Sequence, residues 1–307
     1  MYSGSVARAV LGELKNETLK TVSVLIGAKV GLRKSDRVTN ICAQLELLHG
    51  LQRRISGQER LVVTAIDAGV SNFAYCSFSI ENQRRPVLLG WDKYQLEEKF
   101  MCSNEKLPLN PTNFTVLSQR ICDHLLTLPY DSDLFAIERQ RTRTVSSKFV
   151  LEPVLRSNIL EYLLFSHLVG QSKAKGFSVL SSDPQKMVNY WIESAKADAK
   201  LTEKIEDKTS KRFRIKLVQD IILGALHNRP DRIIDIPETF QERFNEKKSR
   251  SLKLHHLIAS DNYVMGAKKE DDLADSFLHS LIWFEWLKNY KVILDKIENG
   301  KASFLKV

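Results

Sequence analysis

Two carboxylates stand directly after short apolar runs. Asp67 follows "LVVTAI" at 61–66, and Glu138 follows "LFAI" at 134–137. Three more, Asp271, Asp272 and Asp275, lie at the start of the apolar stretch "KKEDDLADSFLHSLIWFEW" at 268–286. Leu273, Phe277, Leu278, Leu281, Ile282 and Trp286 recur there at helical spacing, which predicts a buried or half-buried helix. Acids in a first turn suit the positive end of the helix dipole, but Asp275 lies a turn further in, level with the apolar residues. Asp272 with Asp275, or Asp271 with Asp275, share one helix face. A strand-end Asp is often only a turn cap. One acid from each of two strands and two from one helix, however, make a carboxylate cluster whose mutual repulsion calls for hard cations. Mg2+ is typically held by a few carboxylates together with phosphate oxygens and water. Two such ions roughly 4 Å apart activate a water on one side and stabilise a leaving oxygen on the other. The chemistry this implies is phosphodiester hydrolysis.

The elements that must carry these acids are legible as periodicity. Leu61–Ile66 is continuously apolar and β-branched, as in a central strand buried on both faces. After a turn at Gly69, residues 73–80 and 86–94 read as two further strands, the first forming a hairpin with its predecessor. A helix is expected at 112–128, a buried strand at 133–139, a long apolar helix at 147–169 and a strand at 176–183. The charged segment 193–214 reads as a surface loop or exposed helix, "RIKLVQDIILGAL" as a helix, and 228–266 as a basic insertion. Three strands, helix, strand, helix, strand and helices imply an α/β layer fold with a mixed sheet between helices. The acids then fall at the carboxyl edge of the sheet, where ligand sites of open α/β sheets gather.

Ahead of this core, residues 6–56 carry helical patterns broken by a short loop at Gly27 and Gly31. Arg33, Lys34 and Arg37 mark the start of the second helix, with Ser35 as its cap. A helix pair with a basic start resembles a SAP-type DNA-binding module; on spacing alone a plain helical hairpin is the stronger reading. The expected division is a helical module at 1–56 and a catalytic domain at 57–307.

The whole chain of 307 residues carries 46 Lys and Arg against 37 Asp and Glu, a formal charge of +9. That excess favours a polyanionic partner, nucleic acid or an anionic membrane surface. Cys42, Cys76, Cys102 and Cys122 form no metal-ligand spacing, so neither a zinc site nor a disulfide framework is expected, and a reducing compartment fits. No apolar run approaches the roughly 20 residues that span a bilayer. The opening "MYSGSVARAVLG", with one Arg and no acid, suits either an organelle presequence or an ordinary helix start.

"IDAGVSNFAY", "FAIERQRTRT", "LSSDPQKM", "RIKLV" and "KKEDDLADSFLHSLIWFEWLKNY" together resemble the RuvC-type Holliday junction resolvases of the RNase H-like superfamily. Within that group the chain more closely resembles the yeast mitochondrial resolvases, the cruciform-cutting endonucleases. The resemblance implies an RNase H-like (RuvC-type) fold and cleavage of four-way DNA junctions by paired symmetric nicks. It further implies a homodimer, Mg2+ or Mn2+ with two ions per site, and a mitochondrial location. It selects Asp67, Glu138, Asp272 and Asp275 as the metal-binding catalytic acids, with Asp271 as an alternate. RNA–DNA hybrid as substrate, or a catalytically silent junction-binding protein, are the competing readings.

Around these acids, "ERQRTRTVSSK" places Arg139, Arg141, Arg143 and Lys148 just past Glu138, as phosphate clamps or as a solvated basic loop. Gln140 is a candidate for insertion among bases. Lys216 heads a helix whose counterpart in the family approaches the site, and is otherwise a surface Lys. Asp183-Pro184 reads as a turn that ends a strand, and His279 as a packed core histidine or a neighbour of the site. The helix at 147–169 is apolar over a wider arc than one sheet face needs. From sequence it reads equally as a doubly buried core helix or as one that partly meets a second subunit. The implied function favours the second, since a two-fold dimer supplies the two active sites that paired nicks require.

Overall fold

The computed structural model describes residues 3–58, 60–70, 72–81, 84–101, 110–140, 151–197, 211–246, 252–258, 270–300 and 304. In chain order, helices α1 (Gly4–Glu13), α2 (Asn16–Ile26) and α3 (Lys34–Gln58) precede strands β1 (Arg60–Ala68), β2 (Phe73–Glu81) and β3 (Val87–Tyr94). Then come α4 (Leu96–Phe100), α5 (Pro111–Leu126), β4 (Leu134–Glu138), α6 (Glu152–Lys175) and β5 (Ser178–Ser182). Helices α7 (Pro184–Ala197), α8 (Lys211–Leu226), α9 (Glu238–Glu246) and α10 (Asp271–Glu298) follow. The chain forms two compact units, one of Leu61–Asp183 with Thr209–Leu281, the other of Met1–Arg60, Pro184–Lys208 and Ile282–Val307.

The first unit is built on a five-stranded sheet of order β3-β2-β1-β4-β5. β1 with β4 and β4 with β5 are parallel, while β2 and β3 are antiparallel. This is the mixed α/β sheet of the RNase H-like fold, as the sequence predicts. Leu61 to Ile66 are all buried, as are Leu134 to Ile137, because both strands are covered on both faces. On one face, Ile66, Ala68, Phe135 and Ile137 join Phe114, Leu117 and Ile121 of α5 and Leu160, Leu164 and Leu168 of α6 in a single core. On the other face, Phe277 of α10 meets Phe78 edge-on at 5.0 Å between ring centroids, and Ser280 Oγ donates to Val63 O at 2.9 Å. At the β1–β2 connection, a Cβ on Gly69 would lie 2.8 Å from Asn72 O, so the turn requires glycine.

The second unit is helical. Ala7 and Leu11 of α1, Leu19 and Ile26 of α2, and Ile41, Leu45 and Leu48 of α3 are fully buried. Gly27 ends α2 at φ 72°, and a Cβ there would strike the Trp286 indole, so both backbone and packing demand glycine. Asn289 Nδ2 donates to Leu25 O at 3.0 Å, and Tyr190 OH donates to Glu285 at 2.8 Å.

Three local features depart from the periodicity. The N-terminal stretch holds three helices rather than a pair, because Leu14 and Lys15 adopt extended backbone without a Gly or Pro to announce it. Ser35 lies inside the first turn of α3, and it is Asp36 Oδ2 that accepts the Arg33 N–H at 3.2 Å. Asp183-Pro184 ends β5 as expected, but Pro184 is also the first residue of α7, a position where proline is pre-set for a helix.

Candidate active site

Strand alternation decides where the two strand-end acids point. Ile66 and Ala68 face the α5–α6 core, so Asp67 between them faces the side covered by α10. On β4, Phe135 and Ile137 face that same core, which sends Glu138 the other way. The parallel register pairs Ile66 with Ile137, so Asp67 and Glu138 fall side by side, one residue beyond. Asp275, on the second turn of α10, completes the group: Asp67, Glu138 and Asp275 each bring a carboxylate oxygen within 4.8 Å of the other two.

The surroundings of this trio are partly buried, and they perturb it accordingly. Burial pushes the Asp67 carboxyl well above the usual range, and the nearby carboxylates of Glu138, Asp272 and Asp275 push the same way. Gln140 Nε2 opposes this by donating to Asp67 Oδ1 at 3.0 Å. Gln140 is itself fixed, because its backbone N–H donates to Glu161 of α6 at 2.8 Å. His279 is fully buried, its Nδ1 2.7 Å from Ser182 Oγ and its Nε2 3.6 Å from Glu138 Oε2. Burial pushes His279 down to about 4, so it is neutral near neutral pH. The histidine is thus both a packed core residue and a neighbour of the acids.

Each of the three aspartates at the start of α10 meets a basic side chain. Arg214 of α8 grips Asp275 through Nε, and through Nη2 to Oδ2 at 3.0 Å. Lys93 of β3 donates to Asp272 Oδ2 at 2.7 Å. Lys211 pairs with Asp271. Burial raises the Asp275 carboxyl against the pull of Arg214, and raises Asp272 against Lys93. For Asp271, burial also acts upward, but the hydrogen bond and charge of Lys211 prevail and its carboxyl is lowered.

The other residues singled out in the sequence lie as follows. Arg139 is exposed and pairs with Asp183 at 2.7 Å. Lys216 pairs with Asp220 at 2.8 Å, one turn along an exposed side of α8, while Arg214 of the same helix reaches the acids. Arg33 and Lys34 are exposed at the start of α3. Arg37 instead braces the α2–α3 loop, donating to Gly31 O at 2.8 Å and Asn16 O at 3.3 Å. Arg141, Arg143 and Lys148 lie outside the described residues. Sequence reasoning missed Lys93, Lys211, Arg214 and Glu161. Arg214 had a faint signal, being two residues before Lys216 in "KRFRIKLV" and so on a different helix face.

The trio fits a hard divalent cation. It offers oxygens only, from three separate elements, at a spacing one ion bridges, and Asp67 is strained by its like-charged neighbours until positive charge enters. No helix among the described residues is long and apolar enough to cross a membrane. Carboxylates gathered at the carboxyl ends of β1 and β4 of an RNase H-like sheet define the class: a metal-dependent nuclease.

Comparison with known proteins narrows the class. A family model described as mitochondrial resolvase Ydc2 / RNA splicing MRS1 matches residues 63–293. The chain is 37% identical over 303 residues to the mitochondrial cruciform cutting endonuclease 1 of Saccharomyces cerevisiae, covering 93% of this chain and 85% of that protein. It is 24% identical over 239 residues to the protein of the same name from Schizosaccharomyces pombe, covering 75% and 81%. The crystal structure of the yeast mitochondrial Holliday junction resolvase Ydc2 is similar with a TM-score of 0.60 and 22% identity, over 93% of this chain and 98% of that one. The chain belongs to the mitochondrial resolvase Ydc2 / RNA splicing MRS1 family.

Proposed function

We propose that this protein is a structure-selective endonuclease that resolves four-way DNA junctions in mitochondria by paired symmetric nicks. The observation that carries this reading is the trio Asp67, Glu138 and Asp275, partly buried and crowded together at the edge of the sheet. The family description spans a resolvase and an RNA splicing protein. A protein that only binds nucleic acid has no use for such a costly set of carboxylates, so the set favours hydrolysis over silent binding. The names of both curated relatives support the substrate and the mitochondrial location.

Asp67, Glu138 and Asp275, with Asp272 beside them, would hold Mg2+ or Mn2+, two ions per site, with Asp271 as the alternate to Asp272. When bound, the ions supply an activated water and stabilise the leaving oxygen. Gln140, held by Glu161, orients Asp67. Arg214 orients Asp275 and adds positive charge where a scissile phosphate would lie. Neutral His279 lies 3.6 Å from Glu138 and adds no charge to the site. In-line attack of water on phosphorus would break the P–O3′ bond and leave a 5′-phosphate and a 3′-hydroxyl. Arg139, Arg141, Arg143 and Lys148 follow Glu138 directly and are assigned to the DNA backbone, with Gln140 reaching bases only if it leaves Asp67. The helical module at 1–56 adds Arg33 and Lys34, with Arg37 shaping the loop that presents them, and Lys216 is assigned to more distant backbone.

Two nicks need two sites. Leu155, Tyr162 and Val169 recur every seven residues along α6 and are 42%, 71% and 44% exposed, a stripe suited to a second copy of the chain. We therefore assign the active form as a homodimer. The test is cleavage of a synthetic four-way junction against linear duplex and RNA–DNA hybrid, with Mg2+, by wild type and Asp275→Asn. Selective cutting of the junction that the variant lacks is expected. Equal cutting of duplex, faster cutting of the hybrid, or an unaffected variant contradicts the assignment.

A further inference from the structure

Lys93 is a lysine placed where a strand ordinarily carries an apolar residue. Its side chain on β3 is 3% exposed, and its ammonium is 2.7 Å from Asp272 Oδ2. Two residues earlier, on the same face of the strand, Trp91 Nε1 donates to Leu273 O at 3.2 Å. β3 therefore holds the first turn of α10 at two adjacent points, and one of them is the carboxylate of a proposed metal ligand. An ammonium so deeply buried is tolerated only while its partner stays in place, so Asp272 is not readily given up. Asp67, Glu138 and Asp275 bring their oxygens together, and Asp272 is not a member of that set.

Resting on the nuclease reading above, we propose that Lys93 is a positioning residue that makes the two metal sites unequal. A first cation binds on Asp67, Glu138 and Asp275. A second must share Asp272 with the Lys93 ammonium and so meets a like charge at close range. That second site stays weak until a DNA phosphate adds its own oxygens, which ties full loading of the site to the presence of substrate. The lysine thereby keeps the second site weak until nucleic acid is seated.

The experiment is direct titration of the full chain with Mn2+ in the absence of DNA, following free Mn2+ by electron paramagnetic resonance. Wild type is expected to show one tight site and a second at least tenfold weaker; in Lys93→Met the second site should tighten by roughly tenfold, because the like charge is gone. An unchanged or weakened second site in a folded Lys93→Met overturns the proposal. If Lys93→Met does not fold, Asp272→Asn decides: loss of the weak site with the tight one retained supports the inference, and loss of the tight site overturns it. Wild type that takes up no Mn2+ at all would remove the nuclease reading and the inference together. A normal Mn2+ profile with no effect of Lys93→Met removes the inference alone.

Discussion

The acids from the strands and the acids from the helix are held in different ways. Asp67 takes a hydrogen bond from the neutral amide of Gln140, and Glu138 faces His279, itself neutral near neutral pH. Asp271, Asp272 and Asp275 are each met by a lysine or arginine, from Lys211, Lys93 and Arg214. Strand acids are placed by register, and the Asp67 carboxyl, pushed up by burial and by its like-charged neighbours, gains from a nearby cation. Helix acids arrive already matched, so their availability can be set by the basic partner. One half of the site is fixed by strand register, and the other is adjustable through its basic partners.

Substitutions on the fixed side should have the largest effect. Asp67→Asn or Glu138→Gln is expected to lower junction cleavage by about a thousandfold or more in single-turnover assays, since a ligand to the reacting centre is lost. On the adjustable side, Arg214→Met should lower it by about a hundredfold, and Lys216→Met on the same helix by less than threefold. Equal losses at the two positions would erase the distinction between the residue that reaches the acids and the one paired with Asp220.

Stability should separate the two halves in the opposite sense. Asp67→Asn removes one of several repelling carboxylates, so without divalent metal its melting temperature should rise by a few degrees, about 1 kcal/mol of relief. The rise that Mg2+ or Mn2+ gives the wild type should be lost in the variant. Lys93→Met leaves the partly buried Asp272 without its nearest cation and should lower the melting temperature, at a cost below the roughly 3–5 kcal/mol of breaking a fully buried pair. Differential scanning calorimetry with and without metal measures both. Glu161→Gln, which weakens the anchor of Gln140, should lower cleavage by roughly tenfold, less than Arg214→Met, and in kcat rather than KM.

How much of this was legible in the sequence follows the same division. Asp67 and Glu138 could be found because a continuous apolar run ending in an acid at a sheet edge is a local pattern, and strand alternation fixes its direction. The α10 acids were visible as a crowd, but their ranking was not. Which of Asp271 and Asp272 meets which lysine depends on β3 and α8, which lie 179 and 60 residues away in the chain. Lys93 gave no signal, since a lysine in "GWDKY" ordinarily points to solvent; here the pairing of β2 with β3 turns it under α10. The family resemblance points to Lys216, but helix phase, settled only by what α8 packs against, brings Arg214 to the acids instead. α7 went unread because Asp-Pro marks a turn as readily as a helix start.

The central claim is that Asp67, Glu138 and Asp275 hold the divalent cation of a junction-cutting nuclease. A crystal soaked in Mn2+ and measured at the manganese absorption edge tests it most directly. The account predicts an anomalous peak within coordination distance of oxygens from all three residues. A peak elsewhere, or an ion held by Asp271 and Asp272 without Asp67, would contradict it.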